Sequence, residues 1–457
     1  MRGFLLKASV GLILAVAAAL PARSQGEDAS SEKSETSLEQ RYDALFQKML
    51  NNPDDLDTMF EFAKVATRLQ RYEPAISTLE RMLVYNQNLP RVRLELGVLY
   101  YRMGSYEVAE SYFQRVKQRE DVPPSVASRV DQYLGRIQDK QARNQFAGSF
   151  FLGVRYDSNA NAGPEDDDVQ FVNPFNGRVI EAELTQGQAE KDFSLVTTGF
   201  LRHTYDLQTR FDESWETTLL GYSTRHQDFP RLDVDFFELT TGPRLSFLPE
   251  SLGDTSIRPY LLGNLVRLDR DLLARTFGGG AEFAAPFGPH LYGRANYELR
   301  YRDFEDVGAS PNASDRTGYT QELDGALNYG LTSNLTATGR IGVAHREAQE
   351  DFESYVEGFS EVGGRVRYSA PGDLTKWPWV ADASVRVTQT EYQEPDPTIA
   401  LTQERSDTEV QLSASNTFRV NKAFAVELRL HHTINQSNIP NFEFDNTSVT
   451  LGGRVRF

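Results

Sequence analysis

The chain contains no cysteine, and among its 457 residues there are only six histidines, three tryptophans and five methionines. Without cysteine there is no disulfide, no thiolate metal site and no lipid anchored through sulfur. The histidines offer little in its place. His431 and His432 are adjacent and so fall on opposite faces of a strand, and neither has a second histidine at metal-ligand spacing. GxSxG, HExxH and a glycine-rich phosphate loop are all missing, and Gly278-Gly279-Gly280 lies inside a strand-like run, where it relieves crowding or marks a bulge. With no nucleophile nominated, the expectation is a protein that is not an enzyme and takes no cofactor and no metal. Beyond the first two dozen residues no apolar run reaches membrane-helix length, and mean hydropathy is -0.49. Any membrane embedding must come from alternating strands. Positive charge is also scarce: 48 Lys and Arg against 65 Asp and Glu leave a net charge of -17, which disfavours nucleic acid as a partner.

What is present begins with an export signal. Arg2 and Lys7 form a basic start, Ser9 to Leu20 an apolar core, and Ala22-Arg23-Ser24 a small-x-small site, so residues 1–24 read as a signal peptide cleaved before Gln25. Residues 25–44 are polar, without apolar period, and are expected to form a flexible leader.

From about Leu45 the apolar period becomes helical, and a repeat emerges. Tyr72, Ala75, Leu79 and Met82 recur thirty-four residues later as Tyr106, Ala109, Phe113 and Val116, while Phe62-Ala63 recurs as Leu96-Gly97. That offset is the tetratricopeptide period, and Leu96, Gly97, Tyr100, Ala109 and Phe113 stand where the repeat wants Leu, Gly, Tyr, Ala and Phe. The usual Trp is replaced by Met59 and Arg93, and Pro90 and Pro123 are displaced by a few residues. Residues 45–144 are therefore expected to be a tetratricopeptide-like helical domain, with helices at Leu45 and at 125–139 capping two repeats. The concave face of the first helices carries Lys64, Thr67, Arg68, Arg91, Leu94, Val98, Tyr101 and Arg102. Two readings stand side by side: a basic groove with one aromatic for an extended acidic or amphipathic segment of a partner, or a face that packs against the leader or the periplasmic rim of the barrel that follows.

At Gln145 the period switches to two and stays there. Fourteen strands are expected, near 147–158, 190–206, 212–226, 233–248, 256–269, 272–286, 289–303, 317–330, 335–349, 353–370, 378–393, 405–420, 422–434 and 445–457. Short turn-rich links such as 207–211, 249–255 and 371–378 alternate with long links at 159–189, 304–316, 394–404 and 435–444. Short turns on one rim and long loops on the other is the plan of an outer-membrane barrel, so residues 145–457 read as a 14-stranded antiparallel transmembrane β-barrel. The even strand count places both barrel ends on the short-turn, periplasmic rim. The expected fold class is α plus membrane β.

The last strand, Asp445 to Phe457, ends as bacterial barrels commonly do. Thr450, Gly452, Val455 and Phe457 resemble the signal that the barrel assembly machinery reads. Residues assigned to the lumen by alternation include Arg294, Glu298, Arg300, Arg302, Arg365, Arg367, Arg386, Arg454 and Arg456. They serve either as a hydrophilic passage or as the cross-strand ion pairs that a wet interior requires. The acidic run Glu165-Asp166-Asp167-Asp168 either holds calcium through carboxylate oxygens or stays solvated, and no EF-hand spacing accompanies it.

The segment Phe150 to Pro164, FFLGVRYDSNANAGP, ends a first strand in Tyr156, Asp157, Ser158, Asn159 and Asn161 straight after a short helical-repeat domain. This motif and the two-part layout resemble the surface lipoprotein assembly modifier family, also called type XI secretion systems. The resemblance implies an outer-membrane translocon that delivers lipoproteins or secreted proteins from periplasm to cell surface. Its partners would be outer-membrane lipid, the assembly machinery, protein cargo and a periplasmic chaperone, around a single copy of the chain. An exopolysaccharide export porin and a passive porin with a partner-binding module are the alternatives. The first calls for many more repeats and aromatic lumen walls, whereas the second predicts steady conductance.

Overall fold

The structure is a computed structural model that describes residues 25–119, 122–165, 168–173, 176, 178–183, 187–209, 213–246 and 255–457. The expected signal peptide, Asp166 and Asp167 of the acidic run, and most of the link 249–255 lie outside the described residues. The chain divides after Ala142 into a helical unit and a barrel unit, two residues before the boundary expected from periodicity.

Among the described residues of the first unit there are six helices: α1 (Gln25–Asn51), α2 (Leu56–Arg68), α3 (Tyr72–Tyr85), α4 (Pro90–Arg102), α5 (Tyr106–Lys117) and α6 (Pro124–Gln141). The stretch 25–44 is helical in α1, not the flexible leader its composition suggested. The helix has an anchor that composition does not reveal, because Tyr42, Leu45 and Met49 pack on the cluster around Met59, Phe62 and Leu79. Asp55 caps α2 by accepting from the backbone of Asp57 and Thr58 and from the Thr58 hydroxyl. Those bonds, the hydroxyl first, hold its carboxyl below the usual range. The displaced prolines stand at helix starts: Pro90 is the first residue of α4, and Pro123 is the N-cap residue of α6, followed by Pro124 at the first helical position, where a missing N–H costs nothing. Gly97 is required by packing, since a Cβ there would lie 2.7 Å from the Phe113 ring.

The second unit is a closed antiparallel barrel of fourteen strands. In chain order they are β1 (Asn144–Asp157), β4 (Asp192–Asp206), β5 (Ser214–His226), β6 (Val234–Ser246), β7 (Ser256–Leu268), β8 (Asp271–Pro286) and β9 (Leu291–Phe304), then β10 (Gly318–Gly330), β11 (Leu335–Ala348), β12 (Tyr355–Tyr368), β13 (Trp379–Tyr392), β14 (Ser406–Arg419), β15 (Phe424–Ser437) and β16 (Phe444–Arg456). Every boundary falls within a few residues of the one read from alternation. The long link after β1 holds a small hairpin, β2 (Asp168–Val172) and β3 (Val179–Glu183), which the sequence reading passed over as loop.

Side chains divide by parity. Phe150, Leu152 and Val154 on β1, Tyr297 and Leu299 on β9, Leu323 on β10 and Val449 and Leu451 on β16 are all exposed on the outer face. An apolar belt of this extent on every strand is what a hydrocarbon surround requires, and closure leaves no unpaired edge within it. The barrel is membrane-spanning.

Candidate functional site

Three places concentrate polar side chains. The first lies in the helical unit, where α2 and α4 enclose a cavity of about 260 Å³ lined by Phe60, Ala63, Lys64, Thr67, Arg68, Leu79, Glu95 and Arg102. Arg91 stands over the Phe60 ring at 4.9 Å, Lys64 lies 5.9 Å from the same ring, and Lys64 also pairs with Glu61 at 2.8 Å. Five of the eight residues proposed from sequence therefore border one groove. Leu94, Val98 and Tyr101 do not: Val98 is buried, and Tyr101 packs on Tyr106 and Tyr133 at 5.6 and 5.3 Å. Helix α6 covers that half of α4, so the groove's aromatic is Phe60, which the sequence reading missed. Behind the groove, Glu80 accepts from the Tyr100 hydroxyl at 2.7 Å. Burial, with this bond second, pushes the phenol up to about 12 and keeps it a donor.

The second place is the lumen. Arg244 binds Glu216 at 2.6 Å and Glu282 at 3.2 Å, and Arg258 reaches Glu216 at 3.3 Å. Arg294 then joins Glu282 to Asp324 at 3.5 and 3.6 Å, and Arg340 joins Asp324 to Glu361 at 3.6 and 3.5 Å. A continuous belt of alternating charge thus ties β5 through β12 at one level. Each partly exposed pair contributes about 0–1 kcal/mol, so the belt's consequence is geometric more than energetic. Glu298 pairs with Arg300 and accepts from the Tyr260 hydroxyl at 2.8 Å. Arg302 follows Arg300 on the same face of β9. Arg365 pairs with Asp382 at 2.5 Å, and Arg454 with Glu427 at 2.5 Å, with Arg456 farther off at 3.9 Å. Where the belt ends, small side chains take over: Thr336, Thr338, Ser384, Ser413 and Ser415, with Arg365, Arg367 and Asp382, line a polar cavity of about 440 Å³. Aromatic rings do point inward, but guanidinium groups cover them: Arg386 lies 3.8 Å from the Phe359 ring and Arg429 4.2 Å from Phe151.

The third place is the seam between β1 and β16, where the Tyr-Asp-Ser-Asn-x-Asn motif sits. Its side chains are tied to the neighbouring strand and to their own loop. Asn446 on β16 donates to Asp157 at 3.1 Å and accepts from the Asn159 backbone at 3.0 Å. Ser158 exchanges two bonds with Thr447, donating its N–H at 3.0 Å and accepting the Thr447 N–H on its hydroxyl at 2.8 Å. Asn159, 3% exposed, donates to the carbonyls of Gly163 and Asp445. Asn161 accepts from the Glu190 N–H at 2.9 Å and donates to the Gln188 carbonyl at 2.7 Å, which pins both ends of the long loop together. Tyr156 faces outward against Phe193, ring centres 5.1 Å apart. Asn446 was not singled out from sequence, and no local pattern marks it.

At the strand's other end Phe457 and Gly148 exchange backbone bonds of 3.0 and 3.1 Å. Of the four residues matching the assembly signal, Val455 and Phe457 are exposed on the outer face, whereas Thr450 is buried and Gly452 lies under the Phe151 ring on the inner one. Among the described residues no group of three or more His, Asp or Glu is placed to hold a metal ion.

No family model matches the chain, and no curated protein does. Among solved structures it is similar to the protein MamA, with 15% identity over 24% of this chain and a TM-score of 0.21. The chain spans 62% of that protein's length. It is also similar to the Yersinia enterocolitica type III secretion chaperone SycD, solved with a peptide of the translocator YopD, at 16% identity over 25% of this chain and 91% of that one, TM-score 0.23. An anion-selective porin from Comamonas acidovorans matches 69% of this chain and 99% of its own at 12% identity, TM-score 0.34. At these identities none of them assigns a role to a residue of this chain.

Proposed function

We propose that this protein is an outer-membrane translocon that delivers lipoproteins or secreted proteins from the periplasm to the cell surface. The observation that carries the reading is the coupling, in one chain, of a peptide-sized groove to a polar barrel. The groove offers an aromatic ring flanked by Arg68, Arg91 and Arg102, which suits an acidic or amphipathic extended segment. Helix α6 ends at Gln141 and β1 begins at Asn144, so cargo held in the groove is tethered to the barrel rim that carries the short turns. In this reading that rim is periplasmic, the helical unit stands in the periplasm, and residues 1–24 direct export. The match of Tyr156, Asp157, Ser158, Asn159 and Asn161 to the surface lipoprotein assembly modifier pattern supports the same assignment. Guanidinium groups over the inward rings leave few faces on which sugars could stack, which argues against a polysaccharide duct.

The test is protease shaving of intact cells, comparing surface peptides of wild type with those of a strain lacking the gene. One or a few lipoproteins or secreted proteins should lose surface exposure while remaining in the cell. An unchanged surface proteome would end the translocon reading and redirect work to conductance or glycan export.

A further inference from the structure

We infer that the barrel wall opens between β1 and β16, and that the Tyr-Asp-Ser-Asn-x-Asn segment with Asn446 is the clasp that holds this seam shut. The inference rests on the transport reading above and adds the route by which cargo leaves the lumen. Within the two strands the seam pairs over nine residues, Ser149 to Asp157, and backbone bonds of Gly148 with Phe457 and of Ser158 with Thr447 carry it one residue further at each end. The other strand interfaces pair over ten to fourteen, and β16 itself pairs with β15 over twelve.

Its middle has little cross-linking by side chains. Gly153 faces Gly452 and Leu152 faces Gly453, so two successive positions lack the cross-strand contact that stabilises a ladder. On the inner face the fully buried Phe151 ring fills that gap, and a Cβ at Gly153 or Gly452 would lie 2.7 or 2.6 Å from it. Strength is instead concentrated at the ends. Outside, Asp157, Ser158 and Asn159 bind Asn446, Thr447 and Asp445. Inside, Arg454 reaches Ser149 at 3.1 Å and Phe457 pairs with Gly148.

A barrel that opens in lipid leaves backbone groups unpaired, and the cost rises with every pair broken. A glycine centre adds no side-chain pairing to that cost, so the ends carry what holds this seam beyond its backbone ladder. Side-chain clasps at its ends can be released by a segment that competes for the same hydrogen bonds. The long loop is positioned to take part. Beyond the clasp, Gln170 on β2 exchanges two bonds with Asn441, and Val172 donates to the Thr398 carbonyl at 2.8 Å. Release of the clasp therefore frees a loop that crosses from β1 to the outer links after β13 and β15.

The chain has no cysteine of its own, which permits a clean lock. Val154→Cys with Leu451→Cys would bridge the seam, and Leu201→Cys with Leu219→Cys would bridge β4 and β5 as a control. Delivery is read as the surface-exposed fraction of palmitate-labelled lipoproteins on intact cells. The seam lock should reduce delivery at least tenfold and reductant should restore it, while the control lock leaves it unchanged. Delivery that persists through a complete seam lock overturns the lateral route and leaves the translocon reading standing. If the unlocked protein delivers nothing either, the translocon reading fails, and hydrogen exchange on the full chain in nanodiscs still judges the seam. There Asn446→Ala should raise exchange in β1 and β16 at least tenfold over β4 and β5. Equal exchange in all four strands would refute the clasp.

Discussion

Single residues decide how closely the elements of this protein approach. Gly97 lets α4 lie against the Phe113 ring on α5, and the repeat pattern had already marked both positions. Gly97→Val should lower the stability of the helical unit by about 1–3 kcal/mol through overpacking, measured by chemical denaturation of the full chain and followed by helical circular dichroism. An unchanged midpoint would mean that the Phe113 ring has room to retreat. The other decisive residues were invisible for a physical reason. Phe60 gains its role only because Arg91, two helices further on, stands over it. Asn446 gains its role because β16 closes on β1 across nearly the full length of the barrel unit, some 289 residues away in sequence. A lone Asn in a strand carries no signal of such a partner.

At the level of elements, the terminal strand shows what alternation can and cannot say. Its parity places Phe457, Val455, Leu451 and Val449 outside, and the structure has the same side exposed. Phe457, which the sequence nominates as an assembly signal, also completes the pairing with Gly148 at the strand end. Phe457→Ala should reduce heat-modifiable protein in the outer membrane several-fold while leaving its synthesis unchanged. Normal outer-membrane levels would end the reading of the ring as an assembly signal. The helices teach the converse. Leu94, Val98 and Tyr101 share a face with Arg91 and Arg102 by period, yet α6 covers them, because a terminal repeat must bury its open side. The leader region behaves likewise: too polar to be read as structured, it continues the helix whose later turns are anchored by Tyr42, Leu45 and Met49.

For the whole molecule, the two units have separate cores, and their tasks should separate too. Replacing Arg68, Arg91 and Arg102 together by Glu should abolish most cargo delivery, at least tenfold by surface labelling, while the barrel still migrates as a heat-modifiable species. Full delivery by that triple variant would return the groove to a packing role. The helical repeat, strand number, strand boundaries and the inward or outward sense of most strand residues follow from local periodicity, because water, lipid and a close-packed core each impose a repeat of two or 3.6 on the chain. Pairings between distant residues do not. The groove depends on how α2 and α4 pack, and the charge belt, the hairpin across the long loop and the clasp at the seam depend on which strand closes against which and in what register. Closing the barrel settles that register, and no stretch of sequence carries it alone.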